Sequence, residues 1–297
     1  VTMIGAGFIS FTILNALISR GVDLTVVEVE KRVLPRMLDE QGANIVNGWL
    51  VSKGVNVKTE CSVVSIDDNE NQKIIKFNDG TELKSDLVIM ATGIKPNIDW
   101  VSDSDLILDD GIPVDEYCRT NVSNVYAAGD VAKGLDIVTG ERVIHAIEPT
   151  AVQHGRIAAS NMSGKETRYK GSLLMNILDV FGLEIASFGS WSDEGSDKII
   201  KENLDRPSYR KMVFEHGQMV GAIAIGLSND IWHTNDIGML KGLIYTKSDL
   251  IDWKDHLERN PFDIKRAFLA SGSIEKLLPE TLTGSPSVPE KSIVVST

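Results

Sequence analysis

Residues 1–10 read Val1-Thr2-Met3-Ile4-Gly5-Ala6-Gly7-Phe8-Ile9-Ser10: an apolar run, two glycines one residue apart, then the opening of an apolar helix. A strand, a tight turn and a helix in this order make the phosphate-binding corner of a βαβ unit. Gly5 permits the turn. Gly7, with no side chain, lets a pyrophosphate approach the backbone. The helix starting at Phe8 and Ile9 aims its free N–H groups and positive dipole end at those phosphates. Ser10 holds the third small position, where close helix–strand packing leaves little room. Leu24-Thr25-Val26-Val27-Glu28 is a β-branched strand of the kind that parallel sheets bury on both faces. Its last residue, Glu28, lies 21 residues beyond Gly7, where a carboxylate accepts hydrogen bonds from an adenosine ribose. A carboxylate there repels a 2′-phosphate and favours NADH over NADPH, although Lys31 and Arg32 soften that repulsion.

Working outward, residues 38–52 form a second helix and 55–58 a third strand. Strand-like segments at 62–66, 73–77 and 82–83 follow, the last two joined by the hairpin signal Asn78-Asp79-Gly80. Residues 87–91 are one more buried strand. Two βα units, an antiparallel insert and a return strand make one doubly wound domain. Further on, short strands are expected at 106–108, 113–115 and 125–128, and a helix at 148–161 with Pro149 in its first turn. From 168 the pattern becomes strands, notably 208–216 and 219–227 around Gly217-Gln218, then helices near 237–245, 249–257 and 261–270. The fold class is therefore α/β: a Rossmann-like NAD domain, the second part of an FAD-binding domain, and an α+β C-terminal domain. The divisions fall at 1–94, 95–165 and 166–272, with 273–297 a disordered tail rich in Ser, Pro and Thr.

Bulk properties narrow the function. The chain has 297 residues and a net charge of −12, which disfavours nucleic acid because phosphate binding needs a basic face. It has no apolar run of membrane-spanning length. Its two cysteines, Cys61 and Cys118, form no C-x-x-C pair and read as packed small hydrophobes in a reducing cytoplasm. Trp191, Trp232 and Trp253 are either interface anchors or core residues.

Further motifs carry a resemblance. Ala91-Thr92-Gly93 precedes the turn Lys95-Pro96-Asn97. Thr120 precedes Val125-Tyr126-Ala127-Ala128-Gly129-Asp130, and Arg32-Val33-Leu34-Pro35-Arg36-Met37-Leu38-Asp39 follows the second strand. Together with the glycine turn, the chain resembles the pyridine nucleotide–disulfide oxidoreductase superfamily. Within it, the chain looks like the reductases that feed nitrite reductase, rubredoxin or ferredoxin. The resemblance implies FAD and NAD(H) as cofactors, and hydride transfer from NADH to FAD. Electrons then pass to an acceptor protein or small molecule, and the protein is a possible homodimer. It also implies site residues. Gly5, Ala6, Gly7, Phe8, Ile9, Ser10, Glu28, Arg36, Thr92 and Gly93 would hold the dinucleotide. Gly129 and Asp130 would meet the ribityl and pyrophosphate part of FAD, and Pro149, Thr150 and Ala151 its pyrimidine edge. No catalytic side chain and no metal ligand is implied, since the cofactor does the chemistry.

The resemblance is incomplete in three places. The family's first glycine motif, which holds the ADP half of FAD, does not precede residue 1, so the chain reads as lacking its N-terminal FAD half. Thr12 stands where the family carries a Glu near the nicotinamide. No histidine lies in the family's thiol-protonating setting, and His154 is the one to watch, on the flavin-side helix. A coenzyme A disulfide reductase or NADH oxidase, and a non-catalytic NAD-binding module, stay open as alternatives. The reading implies that residues 1–297 alone take up FAD poorly. Reconstitution followed by dialysis is expected to leave substoichiometric flavin, and tight one-to-one FAD would contradict it.

Overall fold

A computed structural model of the chain describes residues 1–70, 72–192 and 197–277. The chain divides into two compact units. One joins Val1–Lys95 to Leu174–Ala267, and the other joins Pro96–Leu173 to the stretch from Phe268.

The first unit begins with β1 (Thr2–Ile4), α1 (Phe8–Ile18), β2 (Thr25–Val27), α2 (Glu40–Ser52) and β3 (Asn56–Lys58). A hairpin insert follows, β4 (Val63–Asn69), β5 (Gln72–Phe77) and β6 (Glu82–Ser85), before β7 (Val88–Met90) returns. The four-stranded sheet has the order β3-β2-β1-β7 and is parallel throughout. β1 and β2 are buried along their whole length. β7 departs from the expected buried strand: it is the sheet's edge, and Met90 is 64% exposed. The insert β4-β5-β6 packs Ile75 and Phe77 with Cys61 and with Val27 of β2 in a second small core.

The later segment of this unit is a five-stranded antiparallel sheet, β11 (Met175–Val180), β12 (Leu183–Gly189), β13 (Asp197–Asn203), β14 (Ser208–Glu215) and β15 (Gln218–Leu227), in the order β11-β12-β15-β14-β13. The β14–β15 turn has left-handed backbone at both His216 (φ +49) and Gly217 (φ +78), the twist that a two-residue hairpin needs. The helix expected at 237–245 begins earlier, as α4 (Ile231–Thr246), because the Asp230 carboxylate accepts from the Trp232 N–H and caps it. α5 (Lys254–Arg259) and α6 (Ile264–Ala270) follow.

One apolar core serves both segments of this unit. Phe11, Leu14, Val46 and Leu50 pack with Val180, Leu183, Tyr209 and Ile225, and each such buried side chain contributes about 1.5–3 kcal/mol. Polar contacts fix the register. The Asn15 amide donates to the Asp179 carbonyl at 2.7 Å and accepts from the Phe181 N–H at 3.0 Å. Trp49 donates to the Val180 carbonyl at 2.9 Å. Asp39, the cap of α2, accepts from the Gly42 N–H at 3.1 Å through one oxygen. Its other oxygen accepts from the Tyr209 hydroxyl at 2.7 Å and from Lys211 Nζ at 3.0 Å. Burial, then the neighbouring Asp39 carboxylate, pushes the Tyr209 phenol far above its ordinary pKa, so it stays a donor.

The second unit contains β8 (Ile112–Pro113), β9 (Ala132–Leu135), β10 (Arg142–Val143) and α3 (Glu148–Met162), with sheet order β10-β9-β8. Two expected strands do not form. The Ile107 N–H in 106–108 donates to the Asn121 side chain at 2.8 Å. Residues 125–128 fold back on the turn before them: Ala127 N–H donates to Cys118 O at 3.2 Å, leaving a single Arg119–Tyr126 bridge. Of the expected tail, Ser273–Lys276 is a helical turn (α7), and residues 278–297 lie outside the described residues.

Asp39→Ala removes a helix cap and strands a buried ammonium, and is expected to cost about 3 kcal/mol in urea unfolding. Asp39→Asn, which keeps the cap but not the counter-charge, is expected to lose about 2 kcal/mol.

Candidate nucleotide-binding site

β1 and α1 meet at the turn Gly5-Ala6-Gly7. Gly5 has φ +96, and a Cβ there would sit 2.3 Å from the Ala91 carbonyl oxygen and 3.3 Å from Thr92 Cα. Only glycine fits, because the exits of β1 and β7 converge on it. This brings Thr92, and with it the start of Ala91-Thr92-Gly93, against the glycine turn. Gly7 is the reverse case. Its backbone is extended (φ −89, ψ −175), and a Cβ built on it meets nothing within 4 Å. The missing side chain thus leaves open space at the mouth of α1.

α1 starts without a side-chain cap and with no acidic residue in its first turn. The N–H groups of Gly7, Phe8, Ile9 and Ser10 have no protein partner among the described residues. Such a cradle of unsatisfied donors at a positive dipole end fits a diphosphate. Phe8 and Ile9 are 40% and 50% exposed, apolar walls beside it. Ser10 is fully buried, and its hydroxyl donates to the Gly5 carbonyl at 2.6 Å, which braces the turn as well as sparing space.

Glu28 is also buried. Its Oε2 accepts from the Ala6 N–H at 2.6 Å and its Oε1 from the Glu30 N–H at 3.0 Å. The segment after β2 then reaches back, with the Leu34 N–H donating to the Ala6 carbonyl at 2.8 Å. Leu34 takes φ +49 to do so. Arg32 is tied down, Nε to the Leu38 carbonyl at 2.9 Å, while Lys31 and Arg36 are exposed. Sequence reasoning missed this return of Leu34 to the turn, and no residue type signals it. Thr12 bonds back to its own helix, at the Phe8 carbonyl.

The flavin-side candidates lie in the second unit. Gly129 has φ +82, and its nearest neighbour across the gap is Ala151 Cβ, 3.7 Å from a built Cβ. Asp130 is exposed. α3 opens with Pro149 in its first turn and no side-chain cap, an uncapped end suited to an electron-rich ring edge. Thr150 instead turns inward and donates to Ser172 Oγ at 2.9 Å. The approach to α3 is held by His145, whose Nε2 pairs with Asp136 Oδ2 at 2.8 Å. Burial alone would raise the Asp136 carboxyl, but hydrogen bonds from His145, Thr139 and Val138 hold it below its ordinary value. His154 is buried against Tyr169, with both ring nitrogens unpartnered. Burial, with His145 adding to it, pushes its pKa down to about 4. It is a neutral core residue at neutral pH.

Both cysteines are buried. Burial raises the Cys61 thiol and pushes Cys118 up to about 11, so neither is a thiolate at neutral pH. No group of three metal-ligating side chains occurs among the described residues. None of the described helices is long and apolar enough to cross a membrane.

A family model described as pyridine nucleotide-disulphide oxidoreductase matches residues 1–155. The chain belongs to this family. A second model, the rubredoxin NAD+ reductase C-terminal domain, matches residues 175–237. Among curated relatives of the chain, the NAD(P)H sulfur oxidoreductase (CoA-dependent) of Pyrococcus furiosus is 35% identical over 208 residues, covering 69% of the chain and 46% of the relative. The nitrite reductase [NAD(P)H] of Bacillus subtilis is 29% identical over 230 residues, covering 77% of the chain and 28% of the relative. The solved structure of a NAD-dependent persulfide reductase from A. fulgidus superposes with a TM-score of 0.78 at 28% identity, over 92% of this chain and 55% of that one. The chain thus spans about half or less of the length of these proteins.

The two glycines separate fold from ligand. Gly5→Ala drives a Cβ into a carbonyl and is expected to destabilise by about 2 kcal/mol or more in denaturant unfolding. Gly7→Ala is expected to change stability by less than about 0.5 kcal/mol, yet to weaken NADH binding about tenfold in calorimetric titration.

Proposed function

We propose that this chain forms the NADH-binding part and the second FAD-binding part of a flavoprotein oxidoreductase. The observation that carries the reading is the uncapped mouth of α1, with open space at Gly7 and a turn braced by Ser10 and Glu28. The pyrophosphate would lie on the N–H groups of Gly7, Phe8 and Ile9, beside Ala6. Thr92, Gly93 and Arg36 would border the nucleotide. Gly129 and Asp130, with Pro149, Thr150 and Ala151 at the start of α3, would hold FAD. FAD, when bound, accepts hydride from NADH and delivers the electrons onward. The chain's own residues bind and orient: the helix ends stabilise negative charge, and no side chain acts as a nucleophile.

The acceptor in this reading is a protein or small molecule of the nitrite reductase, rubredoxin or ferredoxin kind. The likeness to the Pyrococcus enzyme favours a second reading, sulfur or coenzyme A disulfide reduction. Neither Cys61 nor Cys118, both buried and protonated, supplies the thiolate that this chemistry needs, so the second reading draws it from outside residues 1–297; the match to the rubredoxin NAD+ reductase C-terminal domain supports the first. The proposed divisions are 1–94 for NAD(H), 95–165 for FAD and 166–272 for dimerisation or acceptor contact. Trp232, 67% exposed on α4, supports an interface there, whereas Trp191 is in the core. A cytoplasmic location suits a consumer of NADH.

Anaerobic mixing of NADH with the full-length, FAD-loaded protein tests the activity. Rapid bleaching of the oxidised-flavin absorbance is expected, and an unchanged spectrum with NADH bound would leave only a nucleotide-binding module.

A further inference from the structure

Two buried contacts tie the start of α3 to one piece of backbone. Asp136 and Ser172 face each other in an isolated parallel bridge. The Ser172 N–H donates to the Leu135 carbonyl at 2.9 Å, and the Ile137 N–H to the Ser172 carbonyl at 3.0 Å. Asp136 Oδ1 accepts from the Val138 and Thr139 N–H groups, each at 2.8 Å, which fixes the direction of its carboxylate. Its Oδ2 pairs with His145 Nε2 at 2.8 Å, just before α3 begins. In the first turn of α3, the Thr150 hydroxyl donates to Ser172 Oγ at 2.9 Å, and Ser172 Oγ also bonds the Tyr169 hydroxyl. Asp136, His145, Thr150 and Ser172 are all buried. Between the two anchors Ala146 has φ +41, a strained backbone region that a non-glycine residue keeps only where its surroundings over-determine it. There too, the N–H groups of Glu148 and Thr150 have no protein partner among the described residues, and Pro149 has no N–H.

We propose that Asp136 and Ser172 are positioning residues for the flavin. Their bridge staples the start of α3 at two points, and through that hold it sets the flavin's reduction potential. The inference rests on the reading that the start of α3 meets the pyrimidine edge of FAD. Free N–H groups and a positive dipole end favour the electron-rich reduced ring over the oxidised one. A hydrogen bond weakens steeply once its angle is lost, so that preference depends on how firmly the first turn is held. None of the four anchoring side chains needs to touch the flavin.

The test is the two-electron midpoint potential of FAD in the full-length protein, with NADH affinity measured on the same samples. Ser172→Ala removes one anchor and changes no charge. It is expected to weaken the hold on reduced flavin about tenfold relative to oxidised flavin, which lowers the potential by about 30 mV. His145→Leu removes the other anchor and is expected to lower the potential likewise. His145→Gln, whose amide can still donate to Asp136, is expected to recover most of that drop. NADH affinity is expected to stay within about twofold throughout. A purely electrostatic role for His145 predicts instead that Ser172→Ala leaves the potential unmoved, and that result overturns the inference. A rise in potential in either variant, or a fall in NADH affinity to match the drop, overturns it as well. If Ser172→Ala takes up no flavin, Thr150→Val breaks the same bond at nearly constant volume and is read in its place. If the unmodified full-length protein takes up no flavin, it is the FAD reading that fails, and the inference goes with it.

Discussion

The nucleotide corner depends on one steric constraint, the place where β1 ends against the exit of β7. The Ala91 carbonyl occupies the space that a side chain at residue 5 would need. The parallel ladders on either side hold both strands there: Gly5 N–H donates to Val27 O and Ala91 N–H to Ile4 O, each at 2.8 Å. Gly5 can then turn the chain with a positive φ, which places the start of α1 directly over the strand ends. Everything proposed for the dinucleotide follows from that placement. The open space at Gly7, the free N–H groups of the first turn and the neighbouring Thr92 are consequences of how closely two strands approach.

Acidic residues do much of the architectural work in this acidic chain. Glu28 ties the glycine turn to the next strand, Asp39 ties α2 to β14, and Asp136 ties His145 into the approach to α3. Each accepts from at least two donors. Carboxylates used this way are structural anchors, and their effect on ligands is exerted through the backbone they hold. This suits the proposed function, in which the cofactors would carry the reaction and the protein would supply alignment.

Local signals in the sequence were enough for much of this. The alternation of apolar strand, glycine turn and apolar helix placed β1 and α1 to within a residue, and Gly80 and Gly217 marked their hairpins. The glycine pair reads as a phosphate corner, and the structure adds that its two members play opposite steric parts. What remained hidden needed partners distant in sequence. Residues 125–128 look like a strand by composition, but pairing decides a strand, and their amides turn to the segment at 118–122. Arg210 and Lys211 are both buried, with Asp236 and Asp39 as their partners, and nothing in their local sequence signals those partners. Glu28 was found by its spacing, but the direction its carboxylate faces depends on Leu34 and Glu30 closing around it.

The shared core of the first unit also governs how the chain is made. Trp49 meets a partner 131 residues downstream, and Asp39 meets Lys211 at a separation of 172 residues. Translation proceeds at about 5–20 residues per second, so α1 and α2 emerge roughly 10–30 seconds before the strands that cover them. During that interval Phe11, Leu14 and Leu50 have the strands and loops of residues 1–55 to pack against, but not Val180, Leu183 or Ile225. A truncation after residue 95 would leave that apolar face exposed for good.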